Sequence, residues 1–289
     1  MIDPRTRYPQ PPFPQEPQDL PGTDEKMNPP ASHGEDSYQG SNKLAGYRTL
    51  ITGGDSGIGR AVAVAFAHEG ADVAISYLSE TADAEKTKSL VEAVGRKAIL
   101  IPGDLKDEAN CQRAVEQTVK ELGGLDVLVN NAAYQQTRES IDEFSSELFD
   151  DIIRTNLHAP FYLCKAALSH LQPGASIINT VSIQGYDPSG MLLPYATSKS
   201  ALIGFTKAAA KLAISKGIRV NAVAPGPVWT PLIPATMPKE QVKNFGDNTL
   251  FGRPAQPAEL APLFVWLASP EASYVTAEVY GATGGMTPF

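Results

Sequence analysis

The chain is short of the residues that build covalent staples, metal cages and membrane spans. Only two cysteines, Cys111 and Cys164, occur in 289 residues. Neither stands in a CxxC or Cys/His spacing, which excludes a disulfide framework and a zinc site and leaves two buried thiols as the expectation. No metal is expected. No run of about 18 apolar residues is present, so no membrane helix is expected either. Positive charge is also scarce, with 24 Lys and Arg against 32 Asp and Glu and a formal charge of -8. With no basic block to offset it, that charge opposes binding to nucleic acid or to an anionic lipid surface. The N-terminus lacks a basic stretch followed by an apolar one, so no secretory signal is expected and the cytoplasm is the expected location. What is present, 42% hydrophobic and 19% charged residues, is the composition of a soluble globular protein whose expected partners are small molecules.

Proline gathers at one end. The first twenty residues, MIDPRTRYPQPPFPQEPQDL, follow neither hydrophobic period and predict an extended or polyproline arm without a core of its own. The polar character persists to Gly46, and residues 1–43 are read as an arm attached to a folded domain over 44–289. Tyr8, Phe13, Met27 and Tyr38 are its expected anchors, on the main body or on a neighbouring subunit; a disordered tail is the alternative. Beyond Tyr47, strand-like runs occur at Thr49–Thr52, Asp72–Tyr77, Ala98–Ile101, Asp126–Val129, Ser176–Val181, Arg219–Ala224 and Val279–Ala282. Segments of helical periodicity separate most of them. Such alternation predicts an α/β fold: a single doubly wound Rossmann-type domain with a parallel sheet covered by helices on both faces. No repeat of 20 to 50 residues is evident, which excludes a solenoid or a propeller.

Between the first strand and a helix expected over Ala61–Glu69 lies Thr52-Gly53-Gly54-Asp55-Ser56-Gly57-Ile58-Gly59. Glycine at 53 and 57 permits backbone angles closed to other residues, and Gly59 lets helix and strand approach. The helix N-terminus then offers unpaired N–H groups to a pyrophosphate. A tight turn without a ligand is the bland alternative. No Gly-Lys-Ser/Thr follows, so this is not a P-loop.

At these residues the sequence resembles the short-chain dehydrogenase/reductase family, whose TGxxxGxG loop is matched by Thr52, Gly53, Gly57 and Gly59. Asp104-Leu105 resemble the family's adenine-contacting pair. Asn130-Asn131-Ala132-Ala133 resemble its NNAG stretch, with Ala133 in place of glycine. Asn156, Ser182 and Tyr195-Ala196-Thr197-Ser198-Lys199 match its Asn, Ser and YxxxK elements, and Pro225-Gly226 its PG pair. The likeness runs from about Leu44 to the C-terminus. The proline-rich arm, Gly34-Glu35-Asp36-Ser37-Tyr38 and the TGGDSGIG loop further resemble a bacterial subgroup that includes general-stress oxidoreductases. The resemblance implies an NAD(P)-dependent oxidoreductase with Asn156, Ser182, Tyr195 and Lys199 as catalytic residues. It also implies cofactor contacts from Asp55, Ser56 and Ile58 in the loop, from Tyr77 and Leu78, and from Val228 and Thr230 at the nicotinamide.

The chemistry also follows from the residue types. A tyrosine and a lysine four apart share one helix face, so an ammonium can sit near a phenol. A phenol titrates near 10, and Lys199 together with an oxidised nicotinamide is expected to lower that value. Tyr195 would then exchange a proton with a carbonyl or alcohol oxygen that Ser182 holds by a hydrogen bond. By resemblance, Asn156 would support a water relay from Lys199. Taken singly, these could be an interface tyrosine, a solvated lysine, a turn serine and a helix-interior asparagine. His158 and His170 stand in no catalytic spacing and are read as structural. The proline-interrupted stretch from Pro227 to Phe251 is expected to cover a small, partly apolar alcohol or carbonyl substrate, with Trp229, Leu232, Ile233, Met237 and Phe245 as walls. A nucleotide-binding regulator without turnover is the main alternative; a sugar-nucleotide epimerase is a third.

An acid at the end of the second strand would chelate a ribose 2′-hydroxyl and repel a 2′-phosphate. Ser76-Tyr77-Leu78-Ser79 supply none, no Arg or Lys occupies Ser56 or Leu78, and Asp55 lies nearby. Both NADP(H) and NAD(H) are therefore expected to bind, with a weak preference for NADP(H). Apolar residues on more than one face of the helices carrying Asn156 and Tyr195, among them Phe161, Leu163, Ala166, Leu202, Phe205 and Ala209, suggest helix pairing between subunits. By resemblance the expected assembly is a homotetramer.

Overall fold

The computed structural model describes residues 3–286. The β-rich run RTLIT forms β1 (Arg48–Thr52), and the glycine loop leads into α1 (Gly57–His68), which starts four residues earlier than the apolar pattern suggests. The alternation continues through β2 (Asp72–Tyr77), α2 (Thr81–Ala93), β3 (Ala98–Pro102), α3 (Glu108–Leu122) and β4 (Val127–Asn130). Then follow α4 (Ser146–Ile153), α5 (Ala159–Ala167), β5 (Ser176–Thr180), α6 (Leu193–Ala213) and β6 (Arg219–Pro225). Two short helices, α7 (Leu232–Thr236) and α8 (Lys239–Lys243), precede α9 (Pro257–Ala268) and β7 (Val279–Ala282). Asp126 falls just outside β4, where its carboxylate pairs with Arg48 at 2.8 Å.

The seven strands are parallel, in the order β3-β2-β1-β4-β5-β6-β7. Successive side chains of a strand point to opposite faces. Thus Leu50, Leu128 and Ile177 pack with residues of α3, α5 and α6, while Ile51, Val129 and Ile178 pack with those of α1 and α9. Both faces are covered, and this is why β6 is buried along its whole length. Strand order reverses between β1 and β4, so the loops leaving their carboxyl ends diverge and open a crevice. Both cysteines are buried and free.

The arm packs on its own body, the first of the placements expected for its anchors, rather than trailing as a disordered tail. Phe13 stacks on Trp229 with ring centroids 4.3 Å apart, and Met27 is buried in the same cluster with Ile233 and Val242. The Trp229 indole N–H donates to the Pro29 carbonyl at 2.8 Å, the Tyr38 hydroxyl to Glu69 at 2.7 Å, and the Tyr8 ring faces the Arg253 guanidinium. The apolar residues after β6 have no sheet to lie against. The arm covers them instead.

Candidate active site

A cleft of about 960 Å³ lies at the carboxyl ends of the strands, with Gly53, Asp55, Ser56, Gly57 and Ile58 in its wall. Tyr77 and Leu78 after β2, Asp104 and Leu105 after β3, and Asn131, Ala132 and Ala133 after β4 line it as well. Pro225, Gly226, Val228 and Thr230 complete the set on the far side. Gly59 lies behind the wall. A Cβ there would overlap the Gly53 carbonyl oxygen, and one on Gly57 would come within 3.0 Å of the Thr230 side chain. Gly53 and Gly57 also hold positive φ, of 59° and 49°. The loop is therefore a cradle that side chains would fill at the N-terminus of α1; this fits the pyrophosphate of a dinucleotide.

Asn131 braces that cradle. Its backbone N–H donates to the Thr52 hydroxyl at 2.9 Å, and its side-chain amide donates to the carbonyls of Thr52 at 3.1 Å and Gly53 at 3.2 Å. Asp55 is buried, and burial, with the charges of Glu80 and Asp83 added, pushes its carboxyl up to about 7. Arg60, a buried basic side chain that donates to the Asp55 carbonyl, was not singled out in the sequence. It is committed to Asp24 at 3.2 Å and Asp83 at 2.9 Å.

Ser182 lies two residues beyond β5 and Tyr195 sits in the first turn of α6, which packs against the turn that follows Ser182. The Ser182 side chain lies near the Tyr195 phenol, and Ser182, Tyr195 and Lys199 all line the cleft. Lys199 is buried, its Nζ donating to the Thr180 carbonyl at 2.7 Å and lying 5.4 Å from the centre of the Tyr195 ring. Burial pushes this ammonium down to about 7. Burial also raises the Tyr195 phenol, against the lowering effect of Ser182. The chain's own groups therefore do not give the lowered phenol expected from the Tyr–Lys spacing, because Lys199 sits in the same desolvating surroundings as Tyr195.

Asn156 lies in a π-helical turn, Arg154–His158, between α4 and α5. Its side chain makes three hydrogen bonds: Oδ1 accepts from the Tyr134 N–H at 2.8 Å, while Nδ2 donates to the Tyr134 carbonyl at 2.8 Å and to Ser198 at 3.0 Å. Ser198 in turn donates to the Tyr195 carbonyl, so Asn156 ties the loop after β4 to the first turn of α6 from behind the cleft wall.

At the substrate end, Leu232, Ile233, Met237 and Phe245 line the cleft as expected. Trp229 does not. It is buried against Phe13, because the loop leaving β6 turns its largest ring toward the arm. Ile183, Leu192, Gln184, Gln135 and Gln241 also line this end, and their scattered positions left no pattern to read. The arm residues Leu20, Pro21 and Gly22 reach the cleft too, which no local motif signals. His158 packs its ring near Tyr162, and neither it nor His170 reaches the cleft. Among the described residues no cluster suited to a metal ion occurs.

This arrangement has close counterparts. A family model described as enoyl-(acyl carrier protein) reductase matches residues 53–287. The uncharacterised oxidoreductase YhxD of Bacillus subtilis is 53% identical over 279 residues, covering 95% of this chain and 93% of that protein. General stress protein 39 of the same organism is 52% identical over 265 residues, covering 92% and 93%. Among solved structures, a short-chain dehydrogenase from Burkholderia cenocepacia in complex with NADP superposes with a TM-score of 0.79 at 33% identity, covering 84% of this chain and 99% of that one. With the glycine cradle, the strand order and these relatives together, the chain belongs to the short-chain dehydrogenase/reductase family of oxidoreductases.

Proposed function

We propose that this protein transfers a hydride between NADP(H) or NAD(H) and a small, partly apolar alcohol or carbonyl compound, with Tyr195 as the general acid or base. The observation that carries this reading is the convergence of Ser182, Tyr195 and Lys199 on one cleft wall opposite the glycine cradle. When bound, the nicotinamide supplies or accepts the hydride and, when oxidised, brings a positive charge. The chain's residues do the rest. Ser182 fixes the substrate oxygen, the Tyr195 hydroxyl gives that oxygen its proton in reduction or takes it in oxidation, and Lys199 supports the charged phenolate. With its ammonium held near 7, Lys199 can also return a proton to Tyr195 at neutral pH. Asn156 is a positioning residue, holding the first turn of α6 through Ser198.

The lining by Ile183, Leu192, Ile233, Met237 and Phe245 favours a partly apolar substrate, and the glutamines among them suit hydroxyl groups on it. The absence of an acid at Tyr77 and Leu78 admits a 2′-phosphate, and Asp55 opposes a strong preference for it. A screen of alcohols, aldehydes and ketones, followed by nicotinamide absorbance with each cofactor, tests the assignment. Turnover of none of them would favour the regulator that binds nucleotide without chemistry.

A further inference from the structure

The arm does more than cover an apolar face. At Leu20, Pro21 and Gly22 it enters the wall of the cleft, and two residues later it touches the glycine loop itself. The Asp24 carboxylate accepts the N–H of Gly57 at 3.0 Å, and the Asp24 N–H donates to Asp83 at 2.9 Å. The same carboxylate oxygen lies 3.0 Å from the His33 imidazole and 3.2 Å from the Arg60 guanidinium, all three side chains being buried. Burial opposes the charge on Asp24, yet the His33 ring, the Arg60 guanidinium and the Gly57 N–H outweigh it and hold its carboxyl below the usual range. Beside this contact, where Pro231 lies next to Gly57, Gly22 is so close to Pro231 that a Cβ would stand 2.7 Å from its carbonyl oxygen, at a φ of 84°. Before this turn, the Gln18 N–H donates to the Pro234 carbonyl at 3.1 Å.

The arm therefore runs from α7, on the substrate side, to the first turn of α1, on the cradle side, and is fixed at both ends. We propose that residues 18–24 are a strap across the dinucleotide cleft, with Asp24 as a positioning residue that locks the strap onto the glycine loop. Asp24 takes up the Gly57 N–H and leaves that of Ile58 for the pyrophosphate. Asp24 shares the buried Arg60 guanidinium with Asp83, so its carboxylate has a cationic partner beside the anion site. Release of the dinucleotide then requires the strap to come off the glycine loop or off Pro231. This inference rests on the reading that the cleft takes a nicotinamide dinucleotide.

The test is the dissociation rate of NADPH and of NADH, followed by their fluorescence in rapid displacement with the full-length protein. Asp24→Asn keeps the shape of the latch and removes its charge, whereas Gly22→Ala forces the strap away from Pro231. Both variants are expected to release the reduced cofactor at least tenfold faster than the wild type. A role confined to stability would lower the melting temperature and leave release within twofold, and that result overturns the proposal. Should either variant fail to fold, hydrogen exchange on the wild type decides. The amides of Gly22 and Asp24 should exchange at least fivefold more slowly with the cofactor bound, and unchanged exchange overturns the proposal. Failure of the wild type to bind either dinucleotide would instead sink the cofactor reading itself, and the strap with it.

Discussion

At the scale of single residues, burial governs the catalytic groups. Tyr195→Phe removes one hydroxyl from a ring of nearly unchanged shape, so cofactor affinity should stay within about threefold while turnover falls about 100-fold or more. Near-wild-type turnover on a substrate from the screen would refute the assignment. Lys199→Met is a sharper test, because the lysine is held near 7 when folded against 10.5 when free. Between those values the unfolded chain carries the extra proton, so stability falls by up to roughly 1.4 kcal/mol per unit as pH drops from 10.5 toward 7, and changes no further below. Lys199→Met escapes this penalty. It should melt higher than the wild type at pH 7, lose that advantage near pH 10, and turn over far more slowly; calorimetry at the two pH values checks it. Tyr195 and Lys199 were legible from their spacing on one helix face, and Ser182 from the family resemblance. That burial raises the phenol was not, since desolvation depends on what packs around it.

At the scale of elements, the arm and the loop after β6 form one unit. Phe13 is buried and stacked on Trp229, so Phe13→Ala should destabilise the protein by about 3 kcal/mol and shift tryptophan emission to the red. An unshifted spectrum and melting curve would show that the arm is not docked there in solution. The anchors Phe13, Met27 and Tyr38 could be picked out because they are apolar or aromatic residues in a polar stretch. Their partners could not, because Trp229 and Glu69 lie far along the chain. In the glycine loop, Asp55 keeps a carboxyl near 7 beside the cleft. Asp55→Asn should raise the ratio of NADP(H) to NAD(H) affinity about fivefold at pH 8, equivalent to about 1 kcal/mol of like-charge repulsion removed at a partly screened site. An unchanged ratio would place the 2′-phosphate out of its reach.

At the scale of the whole molecule, the α5 and α6 faces set the expectation for assembly. Leu163 and Leu202 turn inward and are buried, but Phe161 remains 48% exposed, with its ring 6.5 Å from that of Phe205. Two of the six apolar residues cited for subunit pairing thus belong to the core of the single chain, and Phe161 is the most exposed of the rest. A homotetramer is still the expected state, and light scattering at micromolar concentration should report about four times the 30.8 kDa chain mass. A monomer would show that Phe161 and Phe205 are simply solvated. Among the described residues no helix is long and apolar enough to cross a membrane, in line with the absence of any long apolar run.

The sequence by itself determined the layer order, because alternating strand and helix periods with short connections allow little besides a parallel sheet covered on both faces. It also determined where the strands end and the glycine cradle, where backbone angles admit few residues other than glycine. Tertiary structure alone decided what those pieces meet. The Asn156 side chain bonds Tyr134 and Ser198, which stand 22 and 42 positions away. Trp229 proved to be an anchor for the arm, and Asp24 a latch on Gly57. Each of these depends on contacts between residues 22 to 216 positions apart. Periodicity reports only which face of its own element a residue occupies, so such contacts leave no mark in the local pattern.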